Sequence, residues 1–300
     1  HWNEHSVEGH RLDDARLDDK GAAATLTLAD IAHTARIGRR AFAYRRSLVA
    51  ADRAEAARLL RATSVAATTA TTDAPEVAFL CAGQGAQYPA MGRGLYAAEP
   101  VFRDAYDTCC ALLASSMQIG GTTTGTTSAD ALRELFFSEA PDVLVATQLT
   151  QPAVFALEYA LARLWMSWGV EPVALIGHSV GEFVCATLVG VMSLADALAL
   201  VALRGRLMQA QPAGSMLSVR LSAAAIASYL DDAVELAAEN SPTLCVVAGP
   251  TPDIERLEAR LAADGVAAIR LMTSHAFHSA MMQPVVAPML AQLQTMTLHA

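Results

Sequence analysis

Two glycines flank a serine in Gly177-His178-Ser179-Val180-Gly181. An apolar run, Val173-Ala174-Leu175-Ile176, precedes them, and the helix-like stretch "GEFVCA" overlaps their end. A buried strand that turns sharply into a helix at a GxSxG lifts the serine hydroxyl clear of the sheet, the arrangement called a nucleophile elbow. Glycines on both sides remove the Cβ atoms that would collide where backbones crowd. The helix beginning there aims its first N–H groups, that of Val180 among them, at any oxyanion formed on an acyl group at Ser179. The chemistry is then acyl transfer through a serine ester. The alternative is a plain strand-to-helix turn with a capping serine.

A serine hydroxyl is a poor nucleophile without a base. The histidines downstream of Ser179 are His275, His278 and His299. The first two fall in "TSHAFHSAMMQP", where a loop returning from a small subdomain could meet the elbow; His299 lies at the chain end. Arg204 stands in a segment otherwise rich in Ala, Leu and Val, with Gly205 beside it. It is either a solvated surface residue or a clamp for a carboxylate, which guanidinium binds bidentately. Periodicity leaves both open.

The elements that must position these groups read as follows. "EVAFLCAGQGAQ" begins as a short buried strand, Glu76 to Cys81, ended by Gly83 and Gly85. "TQPAVFALEYALARLWMSWG" is a long amphipathic helix, with Pro152 in its first turn and Gly169 as its stop. Ser193 followed by Asp196 opens another helix, running to about Gln209. After "QPAG" come a strand, a helix, two strands, a helix and a strand. That is the ferredoxin-like βαββαβ order, expected over residues 214–273. Upstream, helix Ile31 to Ala41, strand Tyr44 to Ala51 and a helix capped by Asp52 form a small αβα unit. The charged stretch "RLDDARLDDK", the Thr/Ala-rich "TSVAATTATTDAP" and "GGTTTGTTS" read as solvated tail, linker and loop.

The bulk numbers are compatible with this. Of 300 residues, 53% are hydrophobic and 17% charged, enough for a sizeable core. A net charge of −9 argues against a nucleic-acid surface, which needs a basic stripe. No apolar run is long enough for a membrane span. Five cysteines without CxxC spacing read as buried, reduced thiols of a cytoplasmic protein, and no metal site is expected. The chain starts at His1 and reads as an internal piece of something longer.

The motifs "GQGAQYPAMG", "LTQPAVFALEYALARLW", "GHSVGE", "RGRLMQ", "ENSPTLCVVAGP" and "SHAFHSAMMQP" occur in one family order. Through them the chain resembles the malonyl-CoA:acyl-carrier-protein transacylases, most closely the acyltransferase domain of modular polyketide synthases. The resemblance covers residues 75–300. Residues 31–74, with "HTARIGRRAFAYRRSLVAADRAE", resemble the linker that joins such domains to a ketosynthase, and residues 1–30 would be disordered or the end of a linker. It implies an α/β-hydrolase-like large subdomain (75–213 and 274–300) with an inserted ferredoxin-like small one (214–273), truncated at its C-terminus.

The resemblance also implies roles. Ser179 would be acylated and His278 would act as general base and acid. The N–H groups of Gln84 and Val180 would form the oxyanion hole. Arg204 would hold the extender's carboxylate, and His275 and Phe277 would shape the acyl pocket. The substrates would be malonyl-CoA and the phosphopantetheine thiol of an acyl carrier protein, with no bound cofactor. A neighbouring ketosynthase domain would be a further partner, and neither nucleic acid nor membrane would be one. Where the family has Phe-Pro before "GQG", this chain has Cys81-Ala82, and Phe183 replaces a tyrosine. Rival readings are a serine thioesterase or hydrolase, for which Asp264 is the triad acid by chain order, and an inactive docking module.

Overall fold

The computed structural model describes residues 26–38, 40, 42–62, 68–69, 75–117, 128–140 and 143–300. The charged tail, most of the Thr/Ala-rich segment and the Thr/Gly stretch up to residue 127 lie outside the described residues. The chain divides into two compact units, His1–Pro75 and Glu76–Ala300.

In the first unit, α1 (Leu28–Ile37) begins a turn earlier than its apolar spacing predicts. Thr27 and Asp30 form a reciprocal capping box, which fixes the start. The strand expected over Tyr44 to Ala51 shrinks to β1 (Tyr44–Arg45). The Arg46 side chain turns instead to the free carbonyls at the end of α2 (Arg53–Arg61), reaching Leu59 and Leu60 oxygens at 3.3 and 3.4 Å. Asp52 caps α2 through the Glu55 N–H at 2.8 Å. Two residues of the expected linker form β2 (Thr68–Thr69), antiparallel to β1.

The second unit opens with β3 (Val77–Cys81). Helices α3 (Arg93–Ala98), α4 (Pro100–Ser116) and α5 (Ala129–Phe136) follow, then the long α6 (Thr147–Ser167). Pro152 sits inside α6, not in its first turn, because a short 3-10 turn at Val143–Val145 feeds the helix a turn earlier. Gly169, at φ +82°, ends it, and the Val170 N–H reaches back to the Trp165 carbonyl. β4 (Pro172–Gly177) pairs parallel with β3, and α7 (Gly181–Leu188) and α8 (Leu194–Gln209) follow. One core joins α4, α5, α6, α7 and α8 around Phe102, Tyr106, Phe155 and Leu198.

A second core belongs to the inserted strands and helices: β5 (Ser215–Val219), α9 (Ala223–Ile226), β6 (Glu235–Ser241), β7 (Leu244–Gly249), α10 (Thr251–Ala263) and β8 (Ala268–Arg270). Their sheet runs β6-β7-β5-β8 with every neighbour antiparallel, the ferredoxin-like arrangement. Period-two alternation gives the sheet two apolar faces. Leu217, Val219, Cys245 and Val247 pack on α9 and α10, whereas Met216, Val246 and Ala248 face Met208 of α8 and Val285 of α11 (Gln283–Leu293). The architecture is the expected α/β-hydrolase-like part carrying a ferredoxin-like insert. No helix among the described residues is long and apolar enough to cross a membrane.

The tightest contact lies where β3 ends over the start of α7. A Cβ on Gly181 would stand 2.3 Å from the Cys81 carbonyl oxygen, and one on Gly177 would stand 2.2 Å from the Glu182 nitrogen. Neither atom can retreat, because both are backbone. Gly181→Ala should therefore cost about 1–3 kcal/mol, read as a fall of roughly 2–12 °C in thermal midpoint. A midpoint equal to that of the unsubstituted protein would disprove the close approach.

Candidate active site

Ser179 occupies the single turn between β4 and α7, at φ +55°. A residue with a Cβ rarely adopts that left-handed conformation, and it persists where the surrounding structure over-determines it. Here the contact at Gly181 and a bond from the His178 N–H to the Cys81 carbonyl at 2.9 Å hold it. The hydroxyl thus projects from the end of the sheet. His278 lies in the turn after the last inserted strand and is also left-handed, at φ +59°. Its Nε2 stands 3.0 Å from Ser179 Oγ. With Nδ1 protonated, Nε2 accepts the serine proton. Burial first, then the charge of Arg204 and the neighbouring His178, hold the His278 pKa below the ordinary histidine value. The ring is therefore neutral at pH 7, the form a base requires.

Arg204, on α8, is 9% exposed. Of the two readings its spacing allowed, the surface one is thereby set aside. Its guanidinium donates to Ser179 Oγ at 3.1 Å and to Gln151 Oε1, and lies over the Phe183 ring. Burial lowers its pKa to about 10, so it remains a cation at neutral pH. No carboxylate pairs with it among the described residues. Gln151 continues inward, donating to Thr147 Oγ1 at 2.8 Å and to Met208 Sδ at 3.3 Å, and Thr147 donates to Gln84 Oε1 at 2.7 Å. An unbroken polar chain thus runs from the arginine to the loop after β3. Sequence reasoning passed over Gln151 and Thr147. The available signal was two polar residues within the apolar helix face of "LTQPAVF".

The backbone N–H groups of Gln84 and Val180 have no acceptor among the described residues. Both residues neighbour the serine, Gln84 in the wall of its cleft and Val180 as the next residue in the chain. The cleft beside Ser179 encloses about 200 Å³, with Met216, Val246, Asn240 and Phe277 on the side of the insert and Gln84, Gln151 and Arg204 opposite. Phe277 lines it directly. His275 does not reach it. That ring is buried, sits between Ser274 Oγ at 2.7 Å and the Gln211 carbonyl at 3.1 Å, and stacks on Phe277 from behind. His275 therefore bears on the cleft only through Phe277. Asp264 is no partner for His278; it accepts from Tyr229 Oη at 2.8 Å in the insert. The backbone of His299 bonds the Val191 carbonyl at 2.8 Å.

Comparison with known proteins agrees with this geometry. Residues 78–300 match the acyl transferase domain family, and residues 21–60 match a family described as CurL-like, polyketide synthase C-terminal. The polyketide synthase GfsA of Streptomyces halstedii is 41% identical over 268 residues, 86% of this chain and 4% of that protein. Among solved structures, the acyl transferase domain of SpnD, in complex with 2-(pent-4-yn-1-yl)malonyl, superposes with a TM-score of 0.79 at 38% identity, over 93% of this chain and 64% of that one. The malonyl CoA-acyl carrier protein transacylase from Clostridium perfringens superposes with a TM-score of 0.64 at 26% identity, over 75% and 70%. The chain belongs to the acyl transferase domain family of polyketide synthases. It spans between 4% and 14% of the length of the curated relatives it matches.

The depressed His278 pKa has a direct check. Ring proton shifts followed by NMR should show His278 titrating below 6.5, and Arg204→Ala should move its midpoint upward by removing one cause of the depression. The sign for stability follows: the unfolded chain binds this proton at higher pH, so the contribution is present above 6.5 and is lost as pH falls through the folded midpoint. A midpoint at or above 6.5 would contradict the environment described.

Proposed function

We propose that this chain moves a malonyl unit from CoA, through an ester on Ser179, to the phosphopantetheine thiol of an acyl carrier protein. The observation that carries the reading is Arg204: a buried cation without a carboxylate partner among the described residues, donating to the nucleophile at 3.1 Å. A simple esterase has no need of a cation in its acyl cleft. An acyl group ending in a free carboxylate supplies the missing anion. The malonyl groups named for two of the solved relatives belong to that class.

In the first half-reaction, Ser179 Oγ attacks the thioester carbonyl while His278 Nε2 takes its proton. The N–H groups of Val180 and Gln84 receive the oxyanion. The C–S bond breaks, and His278 returns the proton to the CoA sulfur. In the second half, the pantetheine thiol gives its proton to His278 and attacks the ester carbonyl. Ser179 leaves and recovers the proton. Arg204 holds the malonyl carboxylate throughout. Acetyl-CoA would leave that cation unpaired, at a cost of about 1–3 kcal/mol or more. The chain's context follows from the same reading: residues 31–74 act as the linker from a ketosynthase to the acyltransferase of residues 75–300, a reading supported by the family match at 21–60.

Intact mass after incubation with malonyl-CoA tests the proposal. The expected result is one malonyl group on the unsubstituted protein and none on Ser179→Ala. Arg204→Ala should lose malonyl loading and keep or gain acetyl loading, about a 10²-fold change in preference. Loading that persists on Ser179→Ala would end the assignment. An ester that forms and hydrolyses without a carrier protein would mark a thioesterase instead.

The extender is fixed further by "HAFH", His275 to His278. Phe277 occupies space beside the α-carbon that a methyl branch would need. With both CoA esters at equal concentration, malonyl should outcompete methylmalonyl by roughly 10- to 200-fold, the worth of one methyl. Equal loading would sink this pocket argument alone.

A further inference from the structure

One ionisable side chain near the site has no part in the mechanism above. Glu158 lies on α6, facing the end of β3, and its Oε1 accepts the Ala82 N–H at 2.6 Å. Its Oε2 is buried without a hydrogen-bond partner among the described residues. A desolvated carboxylate oxygen is an expensive way to fill an apolar wall. The cavity it lines is otherwise walled by carbon-rich side chains of β3 and α6, such as Phe79, Leu161 and Trp165. The one contact that gives the charge a use is Ala82.

Ala82 is the second residue before Gln84. The peptide group before it is held too, since the Cys81 carbonyl accepts the His178 N–H at 2.9 Å. The loop is therefore gripped at successive polar groups, Cys81 C=O by the elbow and Ala82 N–H by α6. This bears on the departure noted in the sequence. A proline at position 82 would restrain the loop through its ring and would have no N–H to donate. Alanine lacks the ring, and the N–H it has in exchange is the one α6 holds. A bond from a charged carboxylate is about twice as strong as one from a neutral acceptor.

We propose that Glu158 is a positioning residue for the oxyanion side of the site, fixing the loop that presents the Gln84 N–H to the acyl carbonyl. The inference rests on the reading of Ser179 as the acylated nucleophile. Glu158 touches no reacting atom and acts through Ala82. Its grip is strongest when ionised. Burial raises its pKa to about 7, so the grip tightens as pH rises through neutrality. The titratable groups that face it are the thiols of Cys81 on β3 and Cys185 on α7, both held protonated by burial, and Glu182 of α7 acts on the same two thiols. No cation pairs with it among the described residues.

The test uses p-nitrophenyl acetate, a neutral ester that makes no demand on Arg204. Ser179 Oγ bonds to the acetyl carbon and p-nitrophenolate leaves. Its release is followed from pH 5.5 to 9, with Ser179→Ala as background. The unsubstituted protein should show a rise centred near pH 7 above the limb set by His278. Glu158→Gln keeps an oxygen for Ala82 and should lose that rise while retaining the His278 limb. Glu158→Ala should be slower by about tenfold at pH 8, part of the 10²–10³ that a whole oxyanion donor is worth. Superimposable profiles for Glu158→Gln and the unsubstituted protein would overturn the proposal, as would full activity in Glu158→Ala. If Glu158→Ala fails to fold, the Glu158→Gln profile decides. If Ser179→Ala releases p-nitrophenolate as fast as the unsubstituted protein, the serine reading itself has failed and takes this inference with it.

Discussion

The site depends on one crossing of backbones. β3 ends with its last carbonyl pressed against the first residue of α7, close enough that only glycine fits at position 181. That carbonyl also accepts the His178 N–H. Between these two contacts the chain has room for a single residue, and it takes the left-handed conformation. Ser179 is that residue. Moving either strand end by an ångström would release the turn, and the hydroxyl would fall back against the sheet. The parallel pairing of β3 with β4, in register from Ala78 with Ala174 to Cys81 with Gly177, keeps the two ends level.

Around that fixed hydroxyl the electrostatics oppose one another in a useful way. Ser179 Oγ lies between a neutral imidazole that can take its proton and a guanidinium that donates to it. The cation favours the serine oxygen when it carries negative charge, and it also helps to hold His278 deprotonated. A carboxylate arriving on Arg204 would soften that second effect. Substrate binding and the strength of the base are thereby coupled through one side chain.

Much of this was open to reading from local pattern. The elbow is a contiguous string, and its strand, turn and helix follow from the residues themselves. The βαββαβ insert has period-two strands and a well-marked helix, so its order was legible too. What escaped depends on partners distant in the chain. Tyr44 to Ala51 looks like a strand, but most of it finds no partner strand, and Arg46 turns to the end of α2. Pro152 suits a helix start, yet the turn at Val143–Val145 sets the start instead. His275 and His278 look alike in sequence; a backbone turn of three residues sends one to the serine and the other behind Phe277. Gln151 and Glu158 gain their meaning from Arg204 and Ala82, 53 and 76 positions away.

The polar chain that supports Arg204 ends on one branch at Met208, whose sulfur receives the second Gln151 N–H bond. Met208 also belongs to the apolar cluster where α8 and α11 meet the back of the inserted sheet, together with Met216 and Met282. Thioether side chains are unbranched, polarizable and easily re-threaded, and sulfur is a forgiving acceptor. The guanidinium is therefore mounted on a cushion and not on a rigid bracket. It can follow a bound anion by tenths of an ångström without breaking its own bonds. The nucleophile beside it stays fixed by backbone. The site thus combines a rigid reacting atom with a compliant anchor for the group it must recognise.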